Sequence, residues 1–137
     1  MENVTLINTN GVTVTESNQI YNNGTNTTGQ SFKTYDAVLN QGGVAAPTAS
    51  VHPNNTIGEI VFTYDGVGDY TGTLVGAFPS STDGITSIFI GVSNNNTYYS
   101  AYRISDDAIK IGTGIIGTGA TDGILQDTAI KIYVTVA

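Results

Sequence analysis

The sequence predicts an all-β protein: an antiparallel, jelly-roll-like β-sandwich, preceded by a short N-terminal β-hairpin or arm. Three observations predict it. β-branched and aromatic residues alternate with hydroxyl and amide residues over short runs, the period of two that half-buries a strand. Clusters of Gly, Asn, Asp and Ser separate those runs at intervals of about ten residues, as in sandwiches and barrels. No stretch carries the period near 3.6 that an amphipathic helix needs.

Along the chain, residues 4–7 and 12–15 alternate around Asn10-Gly11, a pair that tolerates positive φ, and predict the hairpin. Residues 22–29 hold only Asn, Thr and Gly, which cannot bury apolar surface, and predict a connector. Residues 1–30 are therefore expected to form an arm or stalk with its linker, and residues 31–137 the sandwich domain. Within that domain the clearest predicted strands are 32–39, 57–64, 70–76, 86–92, 97–104 and 129–136. In the last, Ile130, Ile132, Val134 and Val136 share one face and Lys131, Tyr133 and Thr135 the other, so the first set is expected in the core. Residues 85–92 are apolar on both faces and predict a central strand. Asp65-Gly66-Val67-Gly68, residues 80–84, residues 93–96 and Thr121-Asp122-Gly123 are predicted turns. Residues 111–119 contain two near copies of Gly-Thr-Gly, with neither the lysine nor the helix of a phosphate loop behind them.

Composition narrows the function classes. The chain has 137 residues and no cysteine, so it holds neither a disulfide nor a thiolate metal site. Only 11% of residues are charged, against about 25% in an average soluble domain, so hydroxyls and amides must cover the surface. Four basic residues against eleven acidic ones leave a net charge of −7, the wrong sign for electrostatic binding of nucleic acid or an anionic membrane. No apolar run approaches the roughly 18 residues of a spanning helix, and the opening Met1-Glu2-Asn3 lacks the basic and apolar regions of a signal peptide.

Candidate chemistry is sparse. The single histidine, His52, precedes Pro53 in a predicted loop and reads as an exposed loop residue rather than a base or metal ligand. Asp65 with Asp69, and Asp106 with Asp107, are carboxylate pairs that could hold calcium or serve a glycosidase, but neither spacing matches the Asp-x-Asp-x-Asp-Gly loop of a calcium site, and Asp and Gly in turns read first as turn-makers. Neither a catalytic residue, a cofactor nor a metal is expected, and the protein is not expected to be an enzyme. Among eight tyrosines, Tyr98, Tyr99 and Tyr102 cluster on one predicted strand, Tyr98 and Tyr102 on one face and Tyr99 on the other. With Asn95 and Asp69 they are the candidate contacts for a glycan or a protein interface.

The segment from Tyr35-Asp36-Ala37-Val38-Leu39-Asn40-Gln41 through Ala46-Pro47-Thr48-Ala49 to Asn55-Thr56-Ile57-Gly58 resembles a family of short domains from bacteriophage structural gene regions. Gly68-Asp69-Tyr70-Thr71-Gly72-Thr73-Leu74 is similar to that family's central Gly-x-Tyr-x-Gly-x-Leu segment. The stretch from Gly123 to Val134 is similar to its closing strand. The resemblance covers residues 32–136 and departs from the family pattern at Ile132-Tyr133, where a basic residue is often found, and around Asn54-Asn55, which holds an extra residue. It implies a β-sandwich located in the virion, in capsid decoration or in a head fibre, spike or tail fibre. The implied partners are copies of the chain itself, as a homotrimer, and other virion proteins, without nucleic acid or membrane insertion. The other class of function to weigh is a carbohydrate-binding or receptor-binding module using the strand and loop tyrosines.

Overall fold

The structure is a computed structural model and describes residues 31–81, 84–91 and 95–136. The hairpin and connector expected over residues 1–30 lie outside the described residues, as do the tips of the turns expected at 80–84 and 93–96. Ser31–Ala137 forms a compact unit of its own.

The described residues form the strands β1 (Ser31–Asn40), β2 (Thr48–Val51), β3 (Val61–Gly66), β4 (Asp69–Thr73), β5 (Ser80–Ser81), β6 (Gly84–Ile90), β7 (Thr97–Ser105), β8 (Ala108–Ile115), β9 (Gly119–Ala120) and β10 (Thr128–Val136), with no helix among them. One antiparallel sheet runs β2-β1-β10-β6-β5. In the other, β8 pairs with β7 along one edge and with β4 and then β9 along the other, and β3 completes the sheet beyond β4. The chain alternates between the sheets: β1 and β2 in the first, β3 and β4 in the second, β5 and β6 back in the first, β7 to β9 in the second, and β10 last in the first. The expected antiparallel sandwich is the fold observed.

Side-chain alternation decides what lies between the sheets. Tyr35, Ala37 and Leu39 of β1 and Ile130, Ile132 and Val134 of β10 point inward from one sheet. Phe62, Tyr70, Ile109 and Ile111 meet them from the other, joined by Ile60, Phe78 and Leu125 from connecting segments. Each such side chain contributes roughly 1.5–3 kcal/mol on leaving water. Gly72 lets this layer close. A Cβ there would lie 2.9 Å from both Ile60 Cγ2 and Phe62 Cε1 and 3.2 Å from Ile109 Cγ1, so the core occupies the space a side chain would need.

Three expectations need correction. Residues 57–60 are not strand, because the Asn55 side chain accepts hydrogen bonds from the N–H groups of Ile57 (3.0 Å) and Gly58 (3.2 Å) and donates to Gly58 O, folding the chain locally. β8 was hidden by Gly112 and Gly114, which suggest turns; in the sheet they are outward positions, while Ile109, Ile111 and Thr113 keep the inward period of two. Residues 84–90 do not form a fully covered central strand. Among the described residues, β6 pairs with β10 on one side and on the other only with the two residues of β5, and its outward side chains Ile85 and Phe89 are exposed. Apolarity on both faces marks a strand that is attracted to cover; it does not supply the second layer.

Tyr35 is 1% exposed, yet its hydroxyl has no hydrogen-bond partner among the described residues, and burial, with Glu59 adding to it, pushes its pKa up to about 12. An unsatisfied buried polar group costs about 1–3 kcal/mol, so Tyr35→Phe is expected to leave stability unchanged or raise it by about 1 kcal/mol in chemical denaturation. A clear loss of stability would show that the hydroxyl is bonded in solution.

Candidate functional site

Two solvent-facing sheet surfaces and one buried polar network carry the chemistry of the described residues. On the outer face of the second sheet, pairing register sets three neighbouring rows. Tyr98 lies opposite Gly114; Ser100 lies opposite Gly112, which in turn faces Asp69; and Tyr102 lies opposite Lys110, which in turn faces Thr71. The Tyr98 ring lies over Gly114, in the space that a Cβ there would take, and remains 40% exposed. Tyr102 is exposed further along the same face, beyond Ser100, whose hydroxyl lies over Gly112. The face thus carries two exposed aromatic rings on β7 next to Lys110, Asp69 and Thr71 on β8 and β4.

Lys110 organises that polar side. Its ammonium lies 2.8 Å from Asp65 Oδ2 and 3.0 Å from Asp69 Oδ1, and it reaches Thr71 Oγ1 at 3.3 Å. Thr71 Oγ1 also donates to Asp65. The lysine, then Thr71, holds the Asp65 carboxyl below its ordinary value, and the two carboxylates raise the Lys110 pKa. The cation that Asp65 and Asp69 hold is therefore the chain's own ammonium, and no group of three or more metal-ligating side chains occurs among the described residues.

The other carboxylate pair, Asp106 and Asp107, forms the β7–β8 turn and anchors the segment after β4. Asp107 Oδ1 accepts from Gly76 N at 2.7 Å, its carbonyl accepts from Leu74 N at 2.9 Å, and Asp106 O accepts from Phe78 N at 2.8 Å, while Asp106 pairs with Arg103. His52 stands exposed in the turn after β2, its N–H donating to Asp36 O.

Of the sequence-predicted contact residues, the structure places Tyr98, Tyr102 and Asp69 on one face. Tyr99 turns the other way, as its position between them requires. It is half-buried against the core, with its hydroxyl donating to Ile124 O at 3.4 Å, so it belongs to packing and not to the surface. Asn95 is exposed in the turn that precedes β7.

Sequence reasoning missed the buried network. Gln41, 3% exposed just past β1, receives the Tyr70 hydroxyl at 2.8 Å and Gly123 N at 2.7 Å on Oε1, and donates through Nε2 to Gly43 O and Ala45 O. Asp122 receives Gly68 N (2.7 Å) and Tyr64 Oη (2.9 Å), and at 3.1 Å it shares with Gln41 Oε1 the one proton of the Tyr70 hydroxyl. Gly68 sits at φ +64, and a Cβ there would strike Thr113 O, so only glycine turns the chain tightly enough to present its N–H to Asp122. In sequence, Gln41 is one polar residue ahead of two glycines and Asp122 one turn aspartate among several. Nothing local marks them as partners.

The outer face of the first sheet carries Phe32, Ile85, Phe89 and Tyr133 on the neighbouring strands β1, β6 and β10. The Phe89 and Tyr133 rings meet edge to face at 6.0 Å and 70°. Lys131 bonds Asp36 across the same face at 2.7 Å and, as the largest cause, holds the Asp36 carboxyl below its ordinary value.

No protein-family model, curated protein or solved structure matches the chain.

The carboxylates set the pH response. The Gly68 N–H, followed by the Tyr64 and Tyr70 hydroxyls, holds Asp122 below its ordinary 3.8. A carboxyl depressed by folding contributes stability that is complete above 3.8 and lost as pH falls through the lower folded value. Asp36 and Asp65 act in the same direction. The thermal midpoint is therefore expected to hold steady above pH 3.8 into the neutral range and to fall below it, with Asp122→Asn lowering the neutral midpoint and flattening the acid limb in circular-dichroism melts. An acid limb of unchanged steepness in that variant would exclude Asp122 as a source of it.

Proposed function

We propose that this chain is a structural component of a bacteriophage virion, a β-sandwich that works by self-assembly and attachment and not by catalysis. The observation that carries this reading is how the side chains are distributed. Several groups with acid–base chemistry are engaged in holding the fold: Asp122 against Tyr64 and Tyr70, Lys110 between Asp65 and Asp69, and Asp107 on the Gly76 loop. Phe32, Ile85, Phe89 and Tyr133 on one sheet and Tyr98 and Tyr102 on the other, by contrast, stand exposed on sheet faces, where they suit contact with another protein surface. Location in the virion is supported by the resemblance to phage structural domains. Its segments fall on β1 and the loop to Gly58, on β4, and on β10, the strands that build the core. Capsid decoration, head fibre, spike and tail fibre all fit a sandwich of this size.

The test is composition of the particle. Mass spectrometry of purified, salt-washed virions is expected to find the chain in fixed proportion to the other structural proteins; recovery only from the lysate supernatant would refute the assignment.

The outer face of the second sheet favours a second reading, glycan or receptor binding. Two exposed tyrosine rings on a face that also carries a carboxylate, an ammonium and hydroxyls offer what a sugar ring needs for stacking and hydrogen bonding. On that reading Tyr98→Ala or Tyr102→Ala weakens binding on a glycan array by roughly two- to tenfold with the fold intact, since an aromatic stack is worth roughly 0.5–1.5 kcal/mol. Equal binding by wild type and both variants would remove this use of the face.

A further inference from the structure

A cavity where the core meets solvent differs in chemistry from both sheet faces. Its volume is about 370 Å³, within the range of roughly 300–1,000 Å³ that small-molecule sites occupy. Lys33 and Val134 of the first sheet line it, together with Ile57 and the segment that follows β4, from Leu74 to Ala77 and at Pro79. Val134 is 2% exposed and Val75 83%, so the lining runs from the core to the surface. Lys33 breaks the pattern of its strand. It stands opposite Val134 and shares the parity of the buried Tyr35, Ala37 and Leu39, so an ammonium takes a place in a row that otherwise carries core side chains. It is also the exception among the four basic residues. Arg103 pairs with Asp106, Lys110 with Asp65 and Asp69, and Lys131 with Asp36; among the described residues no carboxylate lies within ion-pair distance of Lys33, and none lines the cavity.

We propose that this cavity binds a small monocarboxylate with an apolar tail, the head on the Lys33 ammonium and the tail against Val134, Ile57, Leu74 and Ala77. The lining chooses the ligand. Apart from Lys33 its side chains are aliphatic, which favours a tail without polar groups. One ammonium matches one negative charge, so a second charge on the head would face no partner in a chain whose net charge is −7. That net charge resides on carboxylates outside the lining, and salt screens exposed charges over about 8 Å at physiological ionic strength, so the nearby ammonium dominates the field at the head. The wall is also formed before a ligand arrives. Leu74 N and Gly76 N donate to the carbonyl and side chain of Asp107, and Phe78 N donates to Asp106 O, which fastens the segment after β4 to the β7–β8 turn. A wall held in place spares the ligand the cost of ordering it. If Lys33 served only to cover the end of the core with its aliphatic stem, the cavity would show no preference for an anion.

This inference goes beyond the virion assignment and stands apart from it, because binding is read on the purified chain. The full chain is titrated calorimetrically with octanoate, 1-octanol, octylamine and octyl phosphate, and the octanoate site is placed by amide shifts in nitrogen-15 spectra. Lys33 is exposed, so Lys33→Met keeps the fold, with circular dichroism as the check. Octanoate is expected to saturate the chain with a Kd of about 1 mM or below, with shifts centred on Ile57, Leu74, Ala77 and Val134. The alcohol and the amine, which offer the ammonium no anion, are expected to bind at least about tenfold more weakly. In Lys33→Met, octanoate is expected to fall to the level of 1-octanol while 1-octanol itself is unchanged. Absence of saturable octanoate binding, shifts centred away from the cavity, equal affinity for octanoate and 1-octanol, or octanoate affinity unmoved by Lys33→Met would each overturn the proposal. Tighter binding of octyl phosphate than of octanoate would overturn its choice of a singly charged carboxylate head.

Discussion

Three side chains from distant parts of the sequence, the buried Gln41 and Tyr70 and the half-buried Asp122, meet at the margin of the core, and the relation of the two sheets depends on them. Gln41 leaves β1 of one sheet, Tyr70 belongs to β4 of the other, and Asp122 lies on the segment that carries the chain from β9 back to β10. Hydrophobic burial brings sheets together but is indifferent to their exact offset. Directional bonds between buried polar groups are not, because each one left unmade costs the full desolvation of its group. The same network explains the close turn at Gly68, whose N–H Asp122 receives and whose carbonyl receives Thr113 N at 2.9 Å. Tyr35, equally buried and unsatisfied, shows the contrast: its ring packs, but its hydroxyl specifies nothing.

With the acidic groups committed to turns and network, what remains for function is the sheet faces. They differ in chemistry because the same alternation that fills the core delivers different residues outward. The second sheet presents glycines overlaid by Tyr98 beside a lysine held between two aspartates. The first presents a neutral aromatic patch. A domain with one polar, tyrosine-bearing face and one apolar face presents two chemically distinct surfaces.

The sequence made the core strands legible wherever alternation was clean. β10 is the clearest case: Ile130, Ile132 and Val134 are buried and Lys131 and Tyr133 exposed, as their spacing requires. It also separated Tyr98 and Tyr102 from Tyr99, since strand parity is a local property. It failed at β8, where glycine is neutral between a turn and a position overlain by a neighbour's ring. It failed again at residues 57–60, where the Asn55 side chain competes with strand pairing for the same backbone groups. The candidate surfaces were legible as residue types and not as places. Nothing in the order of residues says that Asp69 shares a face with Tyr102, or that Phe32 and Phe89, far apart in the chain, flank one Tyr133.

By itself the sequence determined the class of fold, the inward set of each regular strand, and a surface of hydroxyls and amides with a net negative charge. Those follow from composition and from a period of two, which need no knowledge of the partner strand. Only the tertiary structure decided which strand lies beside which, and therefore that β8 is the centre of its sheet, that β6 is left with an uncovered apolar face, and that Lys110 rather than an external ion sits between Asp65 and Asp69. Pairing between distant strands is fixed by the summed fit of a whole core and its buried hydrogen bonds, and no window along the chain contains that sum.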